Sequence, residues 1–195
     1  MPKSGVKQLR KEQVISATRK CIVEKGVLHF SMKDVAAEAG VSTGVIYHYF
    51  NNKQDLMLQV LKETFSRSND RVAESVVPLD SAREKMFKHI ENISIVPMDN
   101  PDFFPLLINY LAQAQNNPEV SAILKKFFGN LREFISEYLE QGVKDKEINS
   151  ELTEHLPVMI LAMGLGMGVM WNVDPDSFDI MDVEAAWEEL LKNTF

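Results

Sequence analysis

The chain has 195 residues, of which 45% are hydrophobic and 25% are charged, a composition typical of a globular protein with one large domain or two small ones. Its single cysteine excludes an internal disulfide and suits a reducing compartment. The formal net charge of −7 argues against a protein that binds nucleic acid through its whole surface.

The charge is unevenly divided along the chain. Residues 1–53 contain nine Lys or Arg against four Asp or Glu, whereas residues 54–195 contain twelve against twenty-four. A basic N-terminal segment attracts phosphates, while the acidic remainder is repelled by them. The distribution therefore favours a nucleic-acid site near the N-terminus.

The sequence predicts an all-α fold of about nine helices, because apolar residues recur with the helical period and no segment shows a sustained period of two. Pro97, Asn100 and Pro101 mark a turn after the fifth helix, and Asn52 is placed to cap the fourth. The predicted helices cover about residues 9–25, two short stretches within 32–49, then 53–76, a helix ending near 95, 102–115, 118–141, 151–172 and 179–193.

The first helix is followed by Gly26 and has one apolar stripe that includes Cys21, with Val14, Ala17 and Ile22. A cysteine in such a stripe is more often a buried apolar residue than a nucleophile or a metal ligand. We therefore predict that Cys21 is a core residue.

Residues 31–53 have the pattern of a helix-turn-helix. Ser31 and Asp34, three positions apart, resemble a capping box in which Asp replaces the usual Glu. Gly40 can adopt the left-handed conformation that ends a helix, and Ser42 can cap a second helix that runs to about Tyr49. Because the connection is so short, the two helices must cross steeply, as in proteins that place the second helix in the DNA major groove.

The second of these helices has two faces. Its inward face has helical spacing and comprises Ser42, Val45, Ile46 and Tyr49. Its outward face comprises Thr43, Gly44, Tyr47 and His48. The aromatic residues alone allow two interpretations, local packing with one exposed ring or contact with a partner, and the surrounding helix-turn-helix favours contact with DNA.

These residues carry a resemblance to the TetR (tetracycline-repressor) family of bacterial transcriptional regulators. The positions that match the family pattern are Gly40, Tyr47, Phe50, Lys53 and Leu56, and the helix that ends before Gly26 fits as well. The resemblance covers roughly the first sixty residues. It implies a three-helix DNA-binding domain at 1–52, joined by a long helix to a helical ligand-binding and dimerisation domain at 53–195.

The DNA contacts are expected to fall into two groups. Thr43, Gly44, Tyr47 and His48 should face base edges or nearby sugar-phosphate, whereas Ser31, Lys33 and Lys53 should contact phosphates. The family resemblance also implies that Tyr49 lies near phosphate. The predicted DNA-binding residues are Ser31, Lys33, Ser42, Thr43, Gly44, Tyr47, His48, Tyr49 and Lys53.

The apolar run at 156–173 reaches the minimum length of a membrane span. It contains Pro157 and three glycines, and neither end has a Lys or Arg to anchor it. We therefore interpret it as a helix buried between its own domain and a second subunit. The resemblance agrees, since it implies a homodimer formed through the last two helices, here about 151–172 and 179–193, with no membrane contact.

The resemblance also implies a cavity for a small-molecule effector in the C-terminal domain. This region is rich in aromatic residues and methionine, most of which are expected to be ordinary core. The candidates for the pocket, chosen from inward helix positions, are Phe103, Tyr110, Phe128, Met167 and Trp171.

No catalytic or metal-binding pattern accompanies these features. The four histidines are scattered, and His89 and His155 are expected to be surface or partly buried residues. We therefore predict no enzyme activity, cofactor or metal, and a cytoplasmic protein. The function predicted is a ligand-responsive repressor that binds an inverted-repeat operator as a dimer, and its rivals are a helical carrier that has lost DNA binding and an enzyme.

Overall fold

The computed structural model describes residues 3–148 and 153–192, and within these ranges it has nine α-helices and no strand, which confirms the predicted all-α fold. The helices are α1 (Lys3–Lys25), α2 (Met32–Glu38), α3 (Thr43–Tyr49), α4 (Lys53–Val76), α5 (Ala82–Asp99), α6 (Phe103–Ala114), α7 (Pro118–Lys144), α8 (Leu156–Val173) and α9 (Ile180–Lys192).

Two predicted boundaries at the start of helices were wrong. Helix α1 begins at Lys3 rather than near Leu9, and α8 begins at Leu156 after a turn that includes His155. Residues 151 and 152 of the predicted eighth helix, and residue 193 of the predicted last one, lie outside the described ranges.

The predicted end of α5 near Ile95 was also wrong, because the helix continues through Pro97 to Asp99. A proline removes one N–H donor and disfavours continuation, but in the last turn of a helix this affects a single hydrogen bond. The N–H of Asn100 still donates to the carbonyl of Val96 at 2.9 Å and closes the helix.

The chain divides into two compact units, which do not follow the order of the sequence. The first unit comprises residues 1–64 and 105–123, and the second comprises 65–104 and 124–195. Helix α4 therefore contributes its first half to one unit and its second half to the other. The predicted boundary at residue 52 concerns function rather than compactness, and it stays a prediction.

The core of the first unit is built where α1 packs on α2 and α2 packs on α3. Cys21 is buried there, as predicted, together with the other members of its stripe. Ile46 from α3 and Leu56 from α4 have no exposed surface. Tyr110 is also fully buried in this unit, and its hydroxyl donates to the carbonyl of Met57 at 2.7 Å.

In the second unit α5 packs against both α8 and α9. The glycines of α8 permit the close approach, because a Cβ at Gly164 would overlap Ile93 and a Cβ at Gly168 would overlap the ring of Phe104. The main hydrophobic core of the unit includes Val72, Val76, Met86, Ile90, Ile135, Tyr138, Leu139, Ile160, Met167 and Trp187.

Helix α8 is apolar on all sides but is buried on only one of them. By length and composition it is long and apolar enough to cross a membrane, and 33% of its residues are buried. The large apolar side chains that remain exposed on it are Val158, Met159, Met163, Met170 and Val173. The prediction of burial by its own domain is thus met on one face of α8.

The prediction that His89 lies at or near the surface was wrong. Its side chain has no exposed area, and neither ring nitrogen has a hydrogen-bond partner among the described residues. Burial disfavours the imidazolium form and lowers the pKa of His89 from its ordinary 6.5 to about 4.

We expect His89 to make the protein sensitive to mild acid. The unfolded chain binds a proton at this residue below pH 6.5, whereas the folded chain does so only below about pH 4, so stability is lost as the pH falls through this window. The full effect is about 3 kcal/mol in the free energy of unfolding. Urea denaturation should show that His89→Leu loses less stability than wild type between pH 7 and pH 4.

His155→Leu is the control for this measurement, because His155 is exposed. It should retain the pH dependence of the wild-type protein. An identical pH dependence for His89→Leu and wild type would contradict the assignment.

Candidate functional site

The turn between α2 and α3 is held by backbone hydrogen bonds that suit glycine. Gly40 has φ of +61°, the left-handed conformation predicted for it. Its N–H donates to the carbonyl of Ala37 at 3.2 Å, and the N–H of Val41 donates to Ala36 at 3.0 Å, the pair of bonds that defines a Schellman motif. The helix-turn-helix is therefore present with its predicted turn.

Ser31 and Asp34 form the predicted capping box at the start of α2. The Ser31 Oγ accepts from the Asp34 N–H at 3.3 Å, and the Asp34 carboxylate accepts from the Ser31 N–H at 2.7 Å. The same carboxylate pairs with Lys25 of α1 at 2.6 Å. The ammonium of Lys25 and the hydrogen bonds from Ser31 hold the pKa of Asp34 well below its usual range.

Lys53, at the start of α4, is directed at the loop that precedes α2. Its Nζ donates to the carbonyl of Phe30 at 2.6 Å and lies 4.0 Å from the centre of the Phe30 ring. Partial burial lowers the pKa of Lys53. The ammonium thus ties α4 to the entrance of the helix-turn-helix, a role that the sequence pattern did not reveal.

Helix α3 presents the side chains that were predicted to meet DNA. Ser42 caps it by accepting from the Val45 N–H at 3.3 Å, and Ile46 anchors it with no exposed surface. Tyr47 is 54% exposed, and Gly44 and His48 are exposed beside it. Thr43, Val45 and Tyr49 are half-buried, and the Tyr49 and His48 rings meet edge to face with centres 5.1 Å apart.

The fold of the chain does not require a glycine at Gly44. Its φ is not in the left-handed range, and an added Cβ would meet only the Ser42 Oγ, at an ordinary 3.7 Å. Glycine inside a helix lowers stability by about 0.5–1 kcal/mol relative to alanine. Its presence on an exposed face is consistent with a surface that a partner approaches closely.

The basic residues of this unit differ in what they already bind. Lys20 pairs with Glu38 at 2.9 Å, and Lys25 pairs with Asp34, so both link α1 to α2. Lys33 and Ser31 lie exposed at the start of α2. Lys33 is therefore better placed than Lys25 to meet a phosphate.

The five predicted pocket residues do not form one group. Tyr110 lies in the first unit, where it lines a cavity of about 330 Å³ together with Lys53 and Met57. The other four belong to the second unit. Phe103 and Phe128 there join one aromatic cluster, since the ring of Phe127 lies 6.2 Å from Phe103 and 5.2 Å from Phe128.

Met167 belongs instead to the hydrophobic core of the second unit, on α8, and the partly buried Trp171 of the same helix packs against that core. Two residues at this core were not predicted as functional from the sequence. These are His89 and Tyr138, whose polar atoms lack partners among the described residues. The spacing of His89 from Met86 and Ile93, three and four positions, places it on the apolar stripe of α5 and was the available signal.

A metal site is not formed by the part of the chain that the structure describes, because no group of three or more His, Cys, Asp or Glu is arranged to hold an ion there. The arrangement is instead one of exposed helix, capped turns and buried apolar core. An exposed helix of this kind can enter a groove of a nucleic acid, and an apolar core can enclose a small molecule.

Comparison with known proteins agrees with this arrangement. A family model described as bacterial regulatory proteins, tetR family, matches residues 14–60, which run from α1 into α4. The HTH-type transcriptional regulator BetI of Agrobacterium fabrum is 26% identical over 132 residues, which cover 68% of this chain and 64% of BetI. The alignment thus spans less than two thirds of the length of that relative.

A second relative aligns over nearly the whole chain. The fatty acid metabolism regulator protein of Bacillus subtilis is 25% identical over 181 residues, 92% of each chain. The crystal structure of the transcriptional regulator FadR from Bacillus subtilis in complex with stearoyl-CoA has the same fold, with a TM-score of 0.78, 23% identity, and coverage of 92% of this chain and 96% of that one. Residues 14–60 thus match the TetR family of bacterial regulatory proteins, and nearly the whole chain is similar to a regulator with the same fold, which supports a TetR-family transcriptional regulator.

Proposed function

We propose that this regulator is a cytoplasmic repressor that binds an inverted-repeat operator as a homodimer and is released by a small apolar effector. The observation that carries the proposal is the exposed face of α3, with Tyr47, His48 and Gly44 on a helix anchored by a fully buried Ile46. The chain acts by binding, without catalysis, cofactor or metal.

The outward face of α3 would read the DNA major groove. Tyr47 and Thr43 suit contact with thymine methyl groups, and their hydroxyls and the His48 imidazole can hydrogen-bond base edges. Gly44 lets the helix backbone approach the groove closely. Ser42 and Tyr49, at the two ends of the helix, are proposed to contact the sugar-phosphate backbone.

Phosphates would be bound around the start of α2. Ser31 lies at the helix N-terminus, where the peptide dipoles favour an anion, and Lys33 is exposed in the first turn. Lys53 would add positive potential at this edge while it holds the Phe30 carbonyl. These phosphate contacts would fix the position of the protein along the DNA, and they would not depend on the base sequence.

Dimerisation is proposed to occur through α8 and α9. Besides the exposed side chains of α8, α9 exposes Met181, Val183 and Leu190, the last by 66%. Several large apolar side chains exposed on one helix, as on α8, are typical of a protein interface. A dimer would bring two copies of α3 to half-sites about 34–36 Å apart, or a little more.

The effector is proposed to bind in the second unit, among residues that include Phe103, Phe128, Met167 and Trp171. The similar regulator solved with stearoyl-CoA, whose acyl chain is apolar, supports a ligand with a long apolar part for this fold. Tyr110 is left out of this pocket, because it lies in the first unit and its hydroxyl is already bound to Met57.

Helix α4 would couple the effector to DNA, because its residues belong to both units and its first residue is Lys53. A shift of the helix on effector binding would move the ammonium that holds the loop before α2. Coupling of this type is worth about 1–3 kcal/mol, a change of five- to 150-fold in operator affinity, and operator must weaken effector binding by the same factor.

The two classes of DNA contact should respond differently to mutation. Lys33→Ala should weaken operator and random DNA alike and lower the slope of log affinity against log salt by about one unit. Tyr47→Ala should instead reduce the gap in binding free energy between operator and random DNA by about 1–3 kcal/mol. Fluorescence anisotropy over a range of salt concentrations measures both, and an unchanged gap for Tyr47→Ala would remove this residue from base recognition.

Lys53→Ala is expected to differ from Lys33→Ala. It should lower operator affinity and also lower the free energy of unfolding, because it leaves the Phe30 carbonyl without its charged donor.

Gly44→Ala should separate DNA binding from folding. The substitution removes the cost of a helical glycine, so the free protein should gain about 0.5–1 kcal/mol in stability while it loses operator affinity. Gly129→Ala in α7 is the matched control, since a Cβ there meets only Arg132 at 4.0 Å. It should gain stability and keep its affinity for DNA. Full operator affinity in Gly44→Ala would refute close approach at this position.

The proposed dimer can be tested at Met170, which is 62% exposed on α8. Met170→Glu should raise the dimer dissociation constant by at least about 100-fold, because burying an unpaired carboxylate costs several kcal/mol. Val77→Glu, at a residue 61% exposed in the turn after α4, is the control and should remain dimeric. Sedimentation of Met170→Glu as an unchanged dimer would place the interface elsewhere.

A further inference from the structure

His89 and Tyr138 are neighbouring rings in the interior of the second unit, and each has unpartnered polar atoms. The His89 side chain on α5 has no exposed area, and Tyr138 on α7 is 5% exposed. Their ring centres lie 6.2 Å apart, and the Phe134 ring lies about as close to each of them. Both nitrogens of His89 and the hydroxyl of Tyr138 lack a hydrogen-bond partner among the described residues.

Such a cluster is unfavourable for the isolated fold. Polar groups in a protein core are nearly always hydrogen-bonded, since an unpartnered buried donor or acceptor has lost its hydration without compensation. The hydrophobic core of this unit includes Tyr138 and, close to the two residues in the chain, Met86, Ile90 and Ile135. Leucine and phenylalanine would fill the same space at lower cost, so the polar atoms call for a partner that the rest of the core does not supply.

The surroundings define the chemistry of that partner. Burial keeps His89 neutral near pH 7, and burial raises the pKa of the Tyr138 hydroxyl, so both groups are uncharged. Among the described residues no Lys or Arg is buried. The carboxyl group of Glu184 on α9 is buried as well, and burial raises its pKa and disfavours its charged form. An ionic group at the cluster would thus lack a buried counter-charge, whereas an uncharged oxygen could use both a donor and an acceptor.

We propose that His89 and Tyr138 bind the polar end of the effector, and that this end is an uncharged oxygen group, such as a hydroxyl or an ester carbonyl, on an otherwise apolar molecule. The proposal rests on the effector site proposed above for the second unit. Met86 and Met167 in the same core are flexible side chains that can repack around an inserted chain.

Four probes with one ten-carbon chain test this chemistry. 1-Decanol and methyl decanoate carry uncharged oxygen groups, decanoate carries an anion, and decyltrimethylammonium carries a cation. Binding to the full-length protein can be followed by tryptophan fluorescence, because both tryptophans, Trp171 and Trp187, lie in the second unit. The two uncharged probes should bind about tenfold more tightly than either ion, the factor expected for one well-made hydrogen bond.

Substitution of either polar residue should abolish this preference. Tyr138→Phe and His89→Leu should each weaken 1-decanol and methyl decanoate by about tenfold and leave the ionic probes unchanged. His155→Leu, the same change at an exposed histidine, should bind all four probes as wild type does. Binding of an ion in preference to the uncharged probes, unchanged binding in both variants, or no binding of any probe overturns the proposal.

The midpoint of thermal unfolding, measured without probe, is a second readout. If the Tyr138 hydroxyl served only to stabilise the fold, its removal would lower this midpoint. Tyr138→Phe removes an unpartnered hydroxyl, so its midpoint should stay the same or rise. Tyr110→Phe removes a hydroxyl that donates to Met57, so its midpoint should fall by about 2–4 °C. An equal fall in Tyr138→Phe would show that its hydroxyl has a partner in the free protein, such as a buried water, and would overturn the proposal.

Operator release, measured with the same probes, separates this inference from the proposed function. If the uncharged probes bind with the expected preference but do not release operator, the effector role fails and the recognition by His89 and Tyr138 stands. If they release operator equally from wild type and from both variants, the effector role stands and the recognition fails.

Discussion

The DNA-binding surface depends on how the loop before α2 is held. Its last residue, Ser31, is fixed by the capping box with Asp34, and the Asp34 carboxylate is fixed in turn by Lys25 of α1. Lys53 holds the Phe30 carbonyl from the side of α4. Because these charge-assisted bonds join three helices at one loop, the orientation of α2, and with it that of α3, is set by groups that do not themselves read DNA.

Under the proposed function, Lys53 would serve both DNA binding and regulation. The ammonium of Lys53 contributes positive potential at the edge of the helix-turn-helix, and its helix has residues in both compact units. The bond from Lys53 to Phe30 joins α4 to this loop, whereas the caps of α2 and α3 are formed by residues within three positions of each other. Under the proposed coupling, a shift of α4 would act on the loop through Lys53 and would leave these local caps formed.

Two features of the second unit lower the stability of the isolated chain, and both would be relieved by binding partners. Helix α8 leaves large methionine and valine side chains in water, and the core around α5 and α7 contains the unpartnered atoms of His89 and Tyr138. A monomer without ligands would be more stable with polar residues at the exposed positions of α8 and with apolar residues in place of His89 and Tyr138. A second subunit and an effector would remove both costs, which ties the stability of the protein to its function.

The sequence alone determined the features that depend on neighbours in the chain. The caps at Ser31 and Ser42 and the left-handed Gly40 need only residues three to five positions away, so the helix-turn-helix and the signature of its family could be predicted. Tertiary structure decided the rest. Lys53 meets a carbonyl 23 residues distant, Tyr110 falls in a different unit from the other pocket candidates, and the buried His89 lies beside the rings of Phe134 and Tyr138 on α7. Helical periodicity indicates which face of a helix is apolar, but only the packing of distant segments determines what covers that face and whether a polar group within it finds a partner.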